Sequence, residues 1–316
     1  MNLSKLKLLA GDASFRKFYR STNNSIIVFS SKNKYLNLVV YDAINKCLNI
    51  NKIKAPKLKK EFYNKNYIEI EDLGDNSLHK ILKKRKNKFK IYLNIIKTLK
   101  LIQKIKLKSI STFKKRKYII PHYSKNRLLN ESRHFLQWYL PRVLKKTKKR
   151  KAKKQIENIF DNLYKNLQLK EKVFVHRDFH VSNMMFYKKK IYLIDSQDAV
   201  YGNIAYDLAS LIDDVRIKTS RKLKDKIFKM YTKTNSSIDQ NKLKNDFEIL
   251  SVLRNLKVIG IFSRLAIRDG KKQYTKLIPY AWKMIEHRIS NNLFFKDLEK
   301  ILNKYFSKKI RAKKWK

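Results

Sequence analysis

The apolar positions of the chain have a strand-like spacing near its start and a helical spacing over most of the remainder. Residues 25–30 predict a strand, residues 36–48 a helix, and residues 67–75 a strand that runs into a polar turn. Later segments repeat apolar residues every three or four positions, which is the spacing of a helix with one buried face. These predicted helices are residues 88–105, 127–140, a helix that begins in the basic run 145–154 and has its apolar face at 156–167, and then 221–232, 239–267, 276–290 and 294–307, before a lysine-rich tail at 308–316 that is predicted to be frayed.

The composition permits two domains or lobes with a substantial core, because the chain has 316 residues and 43% of them are hydrophobic. No run of about 18 uncharged apolar residues occurs, so we expect no membrane span. Residues 1–15 have too short an apolar core for a signal peptide. The single cysteine, Cys47, excludes an internal disulfide and fits a reducing compartment. We therefore expect a cytoplasmic protein.

The formal charge is +52, from 77 Lys and Arg against 25 Asp and Glu. A charge of this size is compatible with nucleic acid binding. Most of the basic residues are lysines spread along the whole chain, however, and Asn, Ile, Tyr and Phe are abundant while Gly and Pro are scarce. This is the bias of an AT-rich coding sequence, so we interpret the charge as compositional and expect no specific nucleic acid partner.

The strongest chemical signal lies at residues 173–195, VFVHRDFHVSNMMFYKKKIYLID. An apolar run leads into a polar loop, two short β-rich runs joined by a lysine turn, and a final carboxylate. The string HRDFHVSN has the H-R-D-x-x-x-x-N pattern of kinase catalytic loops, in which a metal-binding Asp follows shortly afterwards. The pattern predicts Asp178 as the base for an attacking hydroxyl, and Asn183 and Asp195 as oxygen ligands of Mg²⁺ on a triphosphate.

Two other interpretations of this segment exist. His176 and His180 are four residues apart, a spacing that binds zinc on a helix, but the flanks are strand-like and no third ligand is evident. A structural turn whose Asp and Asn bond their own backbone would also fit the loop alone. The preceding strand, the hairpin and Asp195 together favour the kinase interpretation.

Two segments near the start carry weaker nucleotide signals. Residues 11–20, GDASFRKFYR, predict a hairpin over a phosphate, although they lack the G-x-x-x-x-G-K-S/T pattern of a Walker A loop and an ordinary hairpin would look similar. Residues 67–75, YIEIEDLGD, would offer backbone groups to adenine where a small lobe continues into a large one. A plain β-turn there would have much the same sequence.

Several strings together resemble the aminoglycoside phosphotransferase and choline kinase superfamily, and within it the bacterial anomeric N-acetylmuramate/N-acetylglucosamine kinases. The strings are HRDFHVSN, IDSQDAVYGNIAYDLASL, GDASFRKFYR, EDLGD, the E-x-x-x-F-x-x-W-Y-L run at 131–140, and RNLKVIGIFSRLAIRDGKKQY at 254–274. They span nearly the whole chain. The resemblance implies an α+β, bilobal, protein-kinase-like fold. Residues 1–73 would be a small β-rich N-lobe with one helix that binds nucleotide, and residues 74–316 a large, mainly helical C-lobe with the catalytic loop and the substrate region.

Carried onto this sequence, the resemblance implies ATP and Mg²⁺ as cofactors and assigns roles to individual residues. Asp178 would be the catalytic base, Asn183 and Asp195 the metal ligands, and Asp207 a structural brace of the catalytic loop. The residues implied to bind nucleotide are Ser14, Phe15 and Arg16 over the phosphates and Glu71, Asp72 and Leu73 at the adenine hinge. The residues implied to contact the sugar are Arg177, His180, Glu131, Arg264 and Asp269.

The sequence departs from protein kinases in three respects. Ser196 and Gln197 stand where Phe-Gly would follow the metal Asp, and no A-P-E segment is visible, which disfavours a protein substrate. The strand at 26–29 lacks the lysine that pairs with phosphates in kinases. Arg16, Lys17 or Lys32 would have to replace it.

We therefore predict a monomeric, ATP- and Mg²⁺-dependent kinase that phosphorylates the anomeric hydroxyl of N-acetylmuramate or N-acetylglucosamine in cell-wall sugar recycling. One alternative is a kinase of another small hydroxyl substrate, of the aminoglycoside, choline or homoserine type. The scarcity of acidic residues in the helical half disfavours a polycationic aminoglycoside. Others are a kinase that modifies tRNA or a protein, and a basic RNA-binding protein without enzymatic activity.

Overall fold

A computed structural model describes residues 6–9, 16–21, 23–31, 36–290, 292–313 and 315. The chain divides into two compact units, and it passes between them more than once. Unit 1 comprises Met1–His122 and Val173–Tyr201, and unit 2 comprises Tyr123–Lys172 and Gly202–Lys316. The predicted lobe boundary at residue 73 thus lies inside unit 1, because the segment up to residue 122 and the predicted catalytic segment both pack within that unit.

Unit 1 contains a five-stranded antiparallel sheet in the order β1-β2-β3-β5-β4. Its strands are β1 (Lys7–Leu9), β2 (Lys17–Arg20), β3 (Ser25–Phe29), β4 (Leu58–Phe62) and β5 (Tyr67–Glu71), and helix α1 (Leu36–Ile50) lies between β3 and β4 in the chain. The predicted strands at 25–30 and 67–75 and the predicted helix at 36–48 are confirmed in kind, although the second strand is shorter than predicted.

The core of this sheet follows from the alternation of side chains along its central strands. Ile26 and Val28 of β3 and Ile68 and Ile70 of β5 are buried together with Leu38 and Tyr41 of α1. Side chains at alternate positions share one face of a strand, so these two strands present a continuous apolar face to one side of the amphipathic helix. The short sheet is thereby given a hydrophobic layer to pack against.

The remainder of unit 1 leads to the predicted catalytic segment and contains it. In order, the elements are α2 (Leu78–Lys84), α3 (Phe89–Gln103), the hairpin β6 (Ser109–Ser111) and β7 (Lys117–Ile119), then β8 (Lys172–Val175), a 3₁₀ turn (Val181–Asn183), the hairpin β9 (Met184–Tyr187) and β10 (Lys190–Leu193), and β11 (Val200–Asn203), which pairs with β8. The helix predicted at 88–105 corresponds to α3, whose buried residues include the predicted apolar face.

Unit 2 is helical. Its helices are α4 (Lys125–Ser132), a π-helical turn (Phe135–Tyr139), α5 (Leu140–Val143), α6 (Lys146–Lys165), α7 (Ala205–Ile212), α8 (Arg221–Lys233), α9 (Gln240–Arg268), α10 (Ile278–Ile289), α11 (Lys296–Tyr305) and α12 (Lys308–Ala312), with 3₁₀ turns at Lys272–Leu277 and Leu293–Phe295. The helices predicted at 221–232, 239–267, 276–290 and 294–307 are all found. Across the described parts of the chain, none of the helices has the length and apolar character to cross a membrane.

The single helix predicted at 127–140 is wrong in detail, because the structure interrupts it with the π-helical turn Phe135–Tyr139. At the start of this turn the backbone lies against Gly260 of α9, far away in sequence. A methyl group added at Gly260 would lie 2.2 Å from the backbone carbon of His134 and 2.3 Å from the amide nitrogen of Phe135. The backbones therefore touch where only a residue without a side chain fits.

The prediction that residues 308–316 are frayed is also wrong for the part that the structure describes. Helix α12 forms, and the buried Arg311 donates to Glu286 Oε1 at 2.9 Å and to Asn303 Oδ1 at 2.7 Å. Its guanidinium lies 5.0 Å from the ring centre of Trp282, and Trp315 stacks on Tyr139 at 5.9 Å. The tail thus completes the aromatic core of unit 2.

A buried ion cluster fastens α7, α8, α9 and α10 around Asp213. Arg288 donates from Nε and Nη2 to the two carboxylate oxygens at 2.8 and 3.0 Å, Lys224 Nζ lies 3.1 Å from Oδ1, and Ser251 donates to Oδ2 at 2.5 Å. Burial alone would raise the pKa of Asp213, but the two cations and the hydrogen bonds outweigh it and hold that pKa well below its usual range.

We expect Gly260→Ala to destabilise the protein by about 1–3 kcal/mol, the usual range for overpacking a close contact. At an open helical position the same change would stabilise by about 0.5–1 kcal/mol, so the sign alone tests the contact. Chemical denaturation measures the free energy of unfolding. Lys244→Ala, at an exposed position of the same helix, is the control and should change it by less than about 0.5 kcal/mol.

Asp213→Asn should lower the free energy of unfolding near neutral pH by about 3–5 kcal/mol, because two buried cations lose their carboxylate. The native pKa is depressed, so the stabilisation is fully present above the unfolded value of about 3.9 and is lost as the pH falls below it. Denaturation at a series of pH values should show wild type and variant converging only below about pH 4. Asp225→Asn, at an exposed position of α8, should show no such gap, and a gap that is constant down to pH 2 would contradict the assignment.

Candidate active site

The candidate site is built on the segment that follows β8. Val173, Phe174 and Val175 are buried in that strand, and the chain then enters the polar loop, the 3₁₀ turn and the hairpin of β9 and β10 before it reaches Asp195. The predicted order of strand, polar loop, hairpin and carboxylate is therefore present in the structure.

Asn183 joins the loop to the strand that ends before Asp195. Its side-chain amide nitrogen donates to the backbone carbonyl of Asp178 at 3.1 Å, and its backbone carbonyl accepts from the backbone amide of Ile194 at 3.0 Å. The bonds bring Asp178, Asn183 and Asp195 into one neighbourhood. Because the amide nitrogen is committed to Asp178, the side-chain oxygen of Asn183 is the atom suited to a metal.

Asp195 lies among charged side chains. Its pKa is raised, first by partial burial and also by repulsion from Asp178 and Asp198, while Arg16 opposes the shift. A group of carboxylates that disfavour one another's ionisation is an environment in which a cation binds well. Oxygen donors from an amide and a carboxylate are the ligand type that Mg²⁺ prefers, so the residues present fit this metal.

Four residues of the segment adopt left-handed backbone conformations that are unusual for residues other than glycine. Lys188 and Lys189 form the hairpin turn, and the other two are Arg177, with φ of 72°, and Asp195, with φ of 61°. Such conformations cost about 1–3 kcal/mol each and concentrate at functional sites. Arg177 Nη1 donates to the carbonyl of Asp198 at 3.1 Å and lies 3.6 Å from its carboxylate, which fixes the predicted sugar ligand Arg177 beside the loop.

The histidines do not form the alternative zinc site within the described residues, where no group of three or more His, Cys, Asp or Glu is placed to hold a metal. His176 is completely buried, and burial lowers its pKa to about 4, so it is neutral at physiological pH. His180, the other predicted sugar contact of the loop, is 3% exposed, and its Nε2 lies 3.5 Å from the side-chain amide of Asn183.

Arg16 reaches the metal-ligand candidate directly. Its Nη2 lies 2.6 Å from Oδ1 of Asp195, and its Nη1 donates to Asn37 of α1 at 2.7 Å. The guanidinium also lies 5.3 Å from the ring centre of Tyr41, and the side chain is only 3% exposed. Of Arg16 and Lys17, the two candidate replacements for the kinase lysine that lie among the described residues, Arg16 is the one at a site carboxylate.

The structure says less about the other predicted phosphate contacts. Lys17 is exposed on β2, whereas Ser14, Phe15 and Lys32 lie outside the described residues. At the predicted adenine hinge, β5 ends at Glu71, and the Asp72 carboxylate accepts from Arg20 and from the amide of Gly74 at 2.8 Å. Leu73 is buried. The side chain of Asp72 therefore shapes the turn, which leaves backbone groups for any contact with a base.

In unit 2, the predicted sugar contact Glu131 is held by three donors. Its Oε2 lies 2.6 Å from Lys257 Nζ and accepts from the hydroxyls of Tyr123 at 2.5 Å and Tyr206 at 3.2 Å. Sequence reasoning missed these three partners, although Lys257 lies in the 254–274 string and Tyr206 in the string that follows Asp195. Asp207 is completely buried in α7.

The predicted sugar contacts Arg264 and Asp269 lie near the end of α9. Asp269 accepts two bonds from Arg268, at 2.7 and 3.0 Å, which lower its pKa. Arg264 is half-buried, and burial lowers its pKa, with a further contribution from Arg268. The bonds of the described residues do not join Glu131 to either of them, because Glu131 pairs with Lys257, about two helical turns earlier on α9.

The sequence is also similar to known phosphotransferases. The sequence matches the phosphotransferase enzyme family over residues 5–240. It is 26% identical over 286 residues to a protein of Neisseria meningitidis named N-acetylmuramate/N-acetylglucosamine kinase, with coverage of 87% of this chain and 82% of the relative.

Solved structures share the fold. A choline/ethanolamine kinase family protein from Mesorhizobium loti superposes with a TM-score of 0.63 at 10% identity, covering 94% of this chain and 92% of that chain. An ADP-bound aminoglycoside phosphotransferase superposes with a TM-score of 0.56 at 15% identity, covering 89% and 92% respectively. The predicted α+β, kinase-like fold class is confirmed, with an antiparallel sheet toward the N-terminus and a larger helical part.

Arg16→Met should lower the free energy of unfolding, because Asn37 and Asp195 lose their donor. We expect a loss of about 1–2 kcal/mol, toward the lower end for bonds to charged groups, since Asp195 is 37% exposed and water screens the pair. Chemical denaturation without added metal measures it. Arg85→Met, at an exposed arginine, is the matched control, and equal unfolding curves for the two variants would show that the pair contributes nothing.

Proposed function

The chain belongs to the phosphotransferase enzyme family, as its sequence motifs predicted, and we propose that it transfers a phosphoryl group from ATP to the anomeric hydroxyl of N-acetylmuramate or N-acetylglucosamine. Family membership makes the chain a phosphotransferase that acts on a hydroxyl group. The observation that carries the proposal is the cluster of Asp178, Asn183 and Asp195 with Arg16 bound to Asp195.

In this mechanism, Asp178 positions the acceptor hydroxyl and takes its proton as the oxygen attacks the γ-phosphorus. A new oxygen–phosphorus bond forms, the bond to the ADP oxygen breaks, and the proton moves to the carboxylate. Asn183 and Asp195 would hold Mg²⁺, which, when bound, neutralises charge on the triphosphate. Most of the rate enhancement comes from positioning and from electrostatic stabilisation of the transferred group.

Arg16 takes the position of the missing lysine in this proposal. It already bridges Asp195 and α1 through Asn37, a link between a site carboxylate and the small-lobe helix. Ser14 and Phe15 would cover the phosphates with it, and the backbone of Glu71, Asp72 and Leu73 would bind adenine. Support for ATP comes from the family and from the ADP-bound structural neighbour.

The acceptor is proposed from the curated relative, whose name gives both amino sugars. Arg177, His180, Glu131, Arg264 and Asp269 are the proposed sugar contacts. The product would be a sugar 1-phosphate for cell-wall sugar recycling. We propose a cytoplasmic reaction, in keeping with the single buried and unpaired cysteine, Cys47.

The experiment that tests the proposal is a phosphorylation screen of purified protein with Mg-ATP against N-acetylmuramate, N-acetylglucosamine, choline, homoserine and an aminoglycoside. We expect transfer to the two amino sugars, and treatment with a phosphomonoesterase should regenerate a reducing sugar. Transfer only to choline, homoserine or the aminoglycoside would refute the sugar assignment, although the phosphotransferase assignment would stand.

The catalytic assignment has its own test. Asp178→Asn should reduce turnover on the preferred acceptor by at least about 10²-fold, the scale of losing a general base, with little change in nucleotide affinity. Asp297→Asn, which makes the same chemical change at an exposed position of α11, should leave turnover unchanged. Wild-type turnover in the Asp178 variant would exclude this residue as the base.

A further inference from the structure

Ser196, the residue that follows Asp195, is bonded to helix α1. Its hydroxyl donates to Oδ1 of Asn45 at 2.7 Å, across 151 positions of sequence. Ser196 is completely enclosed and Asn45 is only 2% exposed, and a hydrogen bond in such surroundings is stronger than one in water. All three residues belong to unit 1, so the bond is a contact within one compact unit.

The same helix reaches Asp195 by a second route. Asn37, Tyr41 and Asn45 are spaced four residues apart, so they lie along one face of α1. Asn37 accepts from Arg16 at 2.7 Å, and another nitrogen of that guanidinium lies 2.6 Å from the carboxylate of Asp195. Helix α1 is thus joined to the carboxylate itself through Arg16, and to the residue directly after it through Asn45.

The bond between Ser196 and Asn45 stands where protein kinases have an apolar contact. In the Asp-Phe-Gly motif of those enzymes, the packing of the Phe sets the active or inactive state. A serine is too small to make such a contact, and here a directional hydrogen bond holds it instead. The departure from the kinase motif that the sequence shows at this position therefore has a defined structural counterpart.

Stability alone does not call for a polar pair at this place. Two buried apolar side chains of the same shape would be about as stable as the hydrogen-bonded pair, or more stable. The bond adds direction, which Asp195 needs because its φ of 61° is a conformation that persists only where its surroundings hold it. The amide of Ile194, bonded to the carbonyl of Asn183 at 3.0 Å, holds the backbone before Asp195, and Ser196 holds it after.

We propose that Ser196 and Asn45 are positioning residues that fix the direction of the Asp195 carboxylate toward its metal. This inference rests on the proposed function, in which Asp195 is a ligand of Mg²⁺ on the triphosphate. In this role each residue acts through the backbone of Asp195, and not by contact with the metal or the nucleotide. Loss of the bond therefore weakens the metal-dependent part of nucleotide binding and leaves the metal-independent part intact.

The test measures how much Mg²⁺ strengthens the binding of AMP-PNP, a non-hydrolysable analogue of ATP, by titration calorimetry with Mg²⁺ and with EDTA. In Ser196→Ala this strengthening should fall about twofold to tenfold, the range for one lost hydrogen bond, while the affinity in EDTA stays within about twofold of wild type. Ser263→Ala is the matched control, because Ser263 of α9 is also completely enclosed and donates a bond of 2.7 Å, to the carbonyl of Ile259. It removes an equally buried bond from unit 2 and should leave the strengthening by Mg²⁺ unchanged.

A second variant removes the acceptor instead of the donor. Asn45→Leu should reduce the strengthening by Mg²⁺ at least as much as Ser196→Ala does. Adding Ser196→Ala to it should cause no further loss, because two residues that act through one bond are not additive.

Three results would overturn the inference: no effect of Mg²⁺ on AMP-PNP binding in wild type, a strengthening in Ser196→Ala equal to that of wild type, or equal falls in Ser196→Ala and Ser263→Ala. Phosphoryl transfer is measured separately. A protein that follows the expected binding results but phosphorylates neither amino sugar would refute the proposed acceptor and leave this inference standing.

Discussion

The hydrogen bond from the amide of Ile194 to the carbonyl of Asn183, 3.0 Å long, joins the two ends of the segment on which the candidate chemistry depends. On one side, Asn183 holds the loop through the carbonyls of Asp178 and His180. On the other, Ile194 is the residue before Asp195. Without this bond, the polar loop and the final carboxylate would lose a direct link that helps to fix the spacing of the two carboxylates.

Packing of apolar side chains explains how the segment tolerates unfavourable backbone. Arg177 and Asp195 both have positive φ, at a cost of about 1–3 kcal/mol each. Phe179, Val181 and Leu193 are buried around them, and burial of an aromatic or aliphatic side chain contributes about 1.5–3 kcal/mol. Local packing is therefore large enough to offset the strain, and it aims the carboxylates where relaxed backbone would not.

This local closure explains which parts of the site were predictable from sequence. Asp178, Asn183 and Asp195 lie within one short segment whose strand and turn signals are strong, so pattern and spacing were sufficient to predict that they lie close together, while their roles stay predictions. Arg16 contacts Asp195 across 179 positions of sequence. The local pattern could name Arg16 as one of three candidate replacements for the kinase lysine, but it could not predict this contact. The donors to Glu131, which are Tyr123, Tyr206 and Lys257, come from three separate parts of the helical unit. The local sequence around Glu131 does not predict them.

The fold shows the same division. Helices with a clear apolar period were found close to their predicted limits, because that period reports burial directly. The π-helical turn at Phe135–Tyr139 was not predicted, and the close contact at its start is with Gly260, more than a hundred positions away. The helix at 308–312 was not predicted because the lysine-rich sequence gives no sign that Arg311 bonds to Glu286 and Asn303. Contacts of this range cannot be inferred from local sequence.

The composition also determines how an unpaired cation should be interpreted. With 77 basic residues against 25 acidic ones, most cations have no carboxylate to meet, and on an exposed surface such as α6 water solvates them at no cost. A missing partner is informative only where the protein also excludes water. Lys224 and Lys257 are buried and have carboxylate partners, which is the expected solution for an enclosed charge.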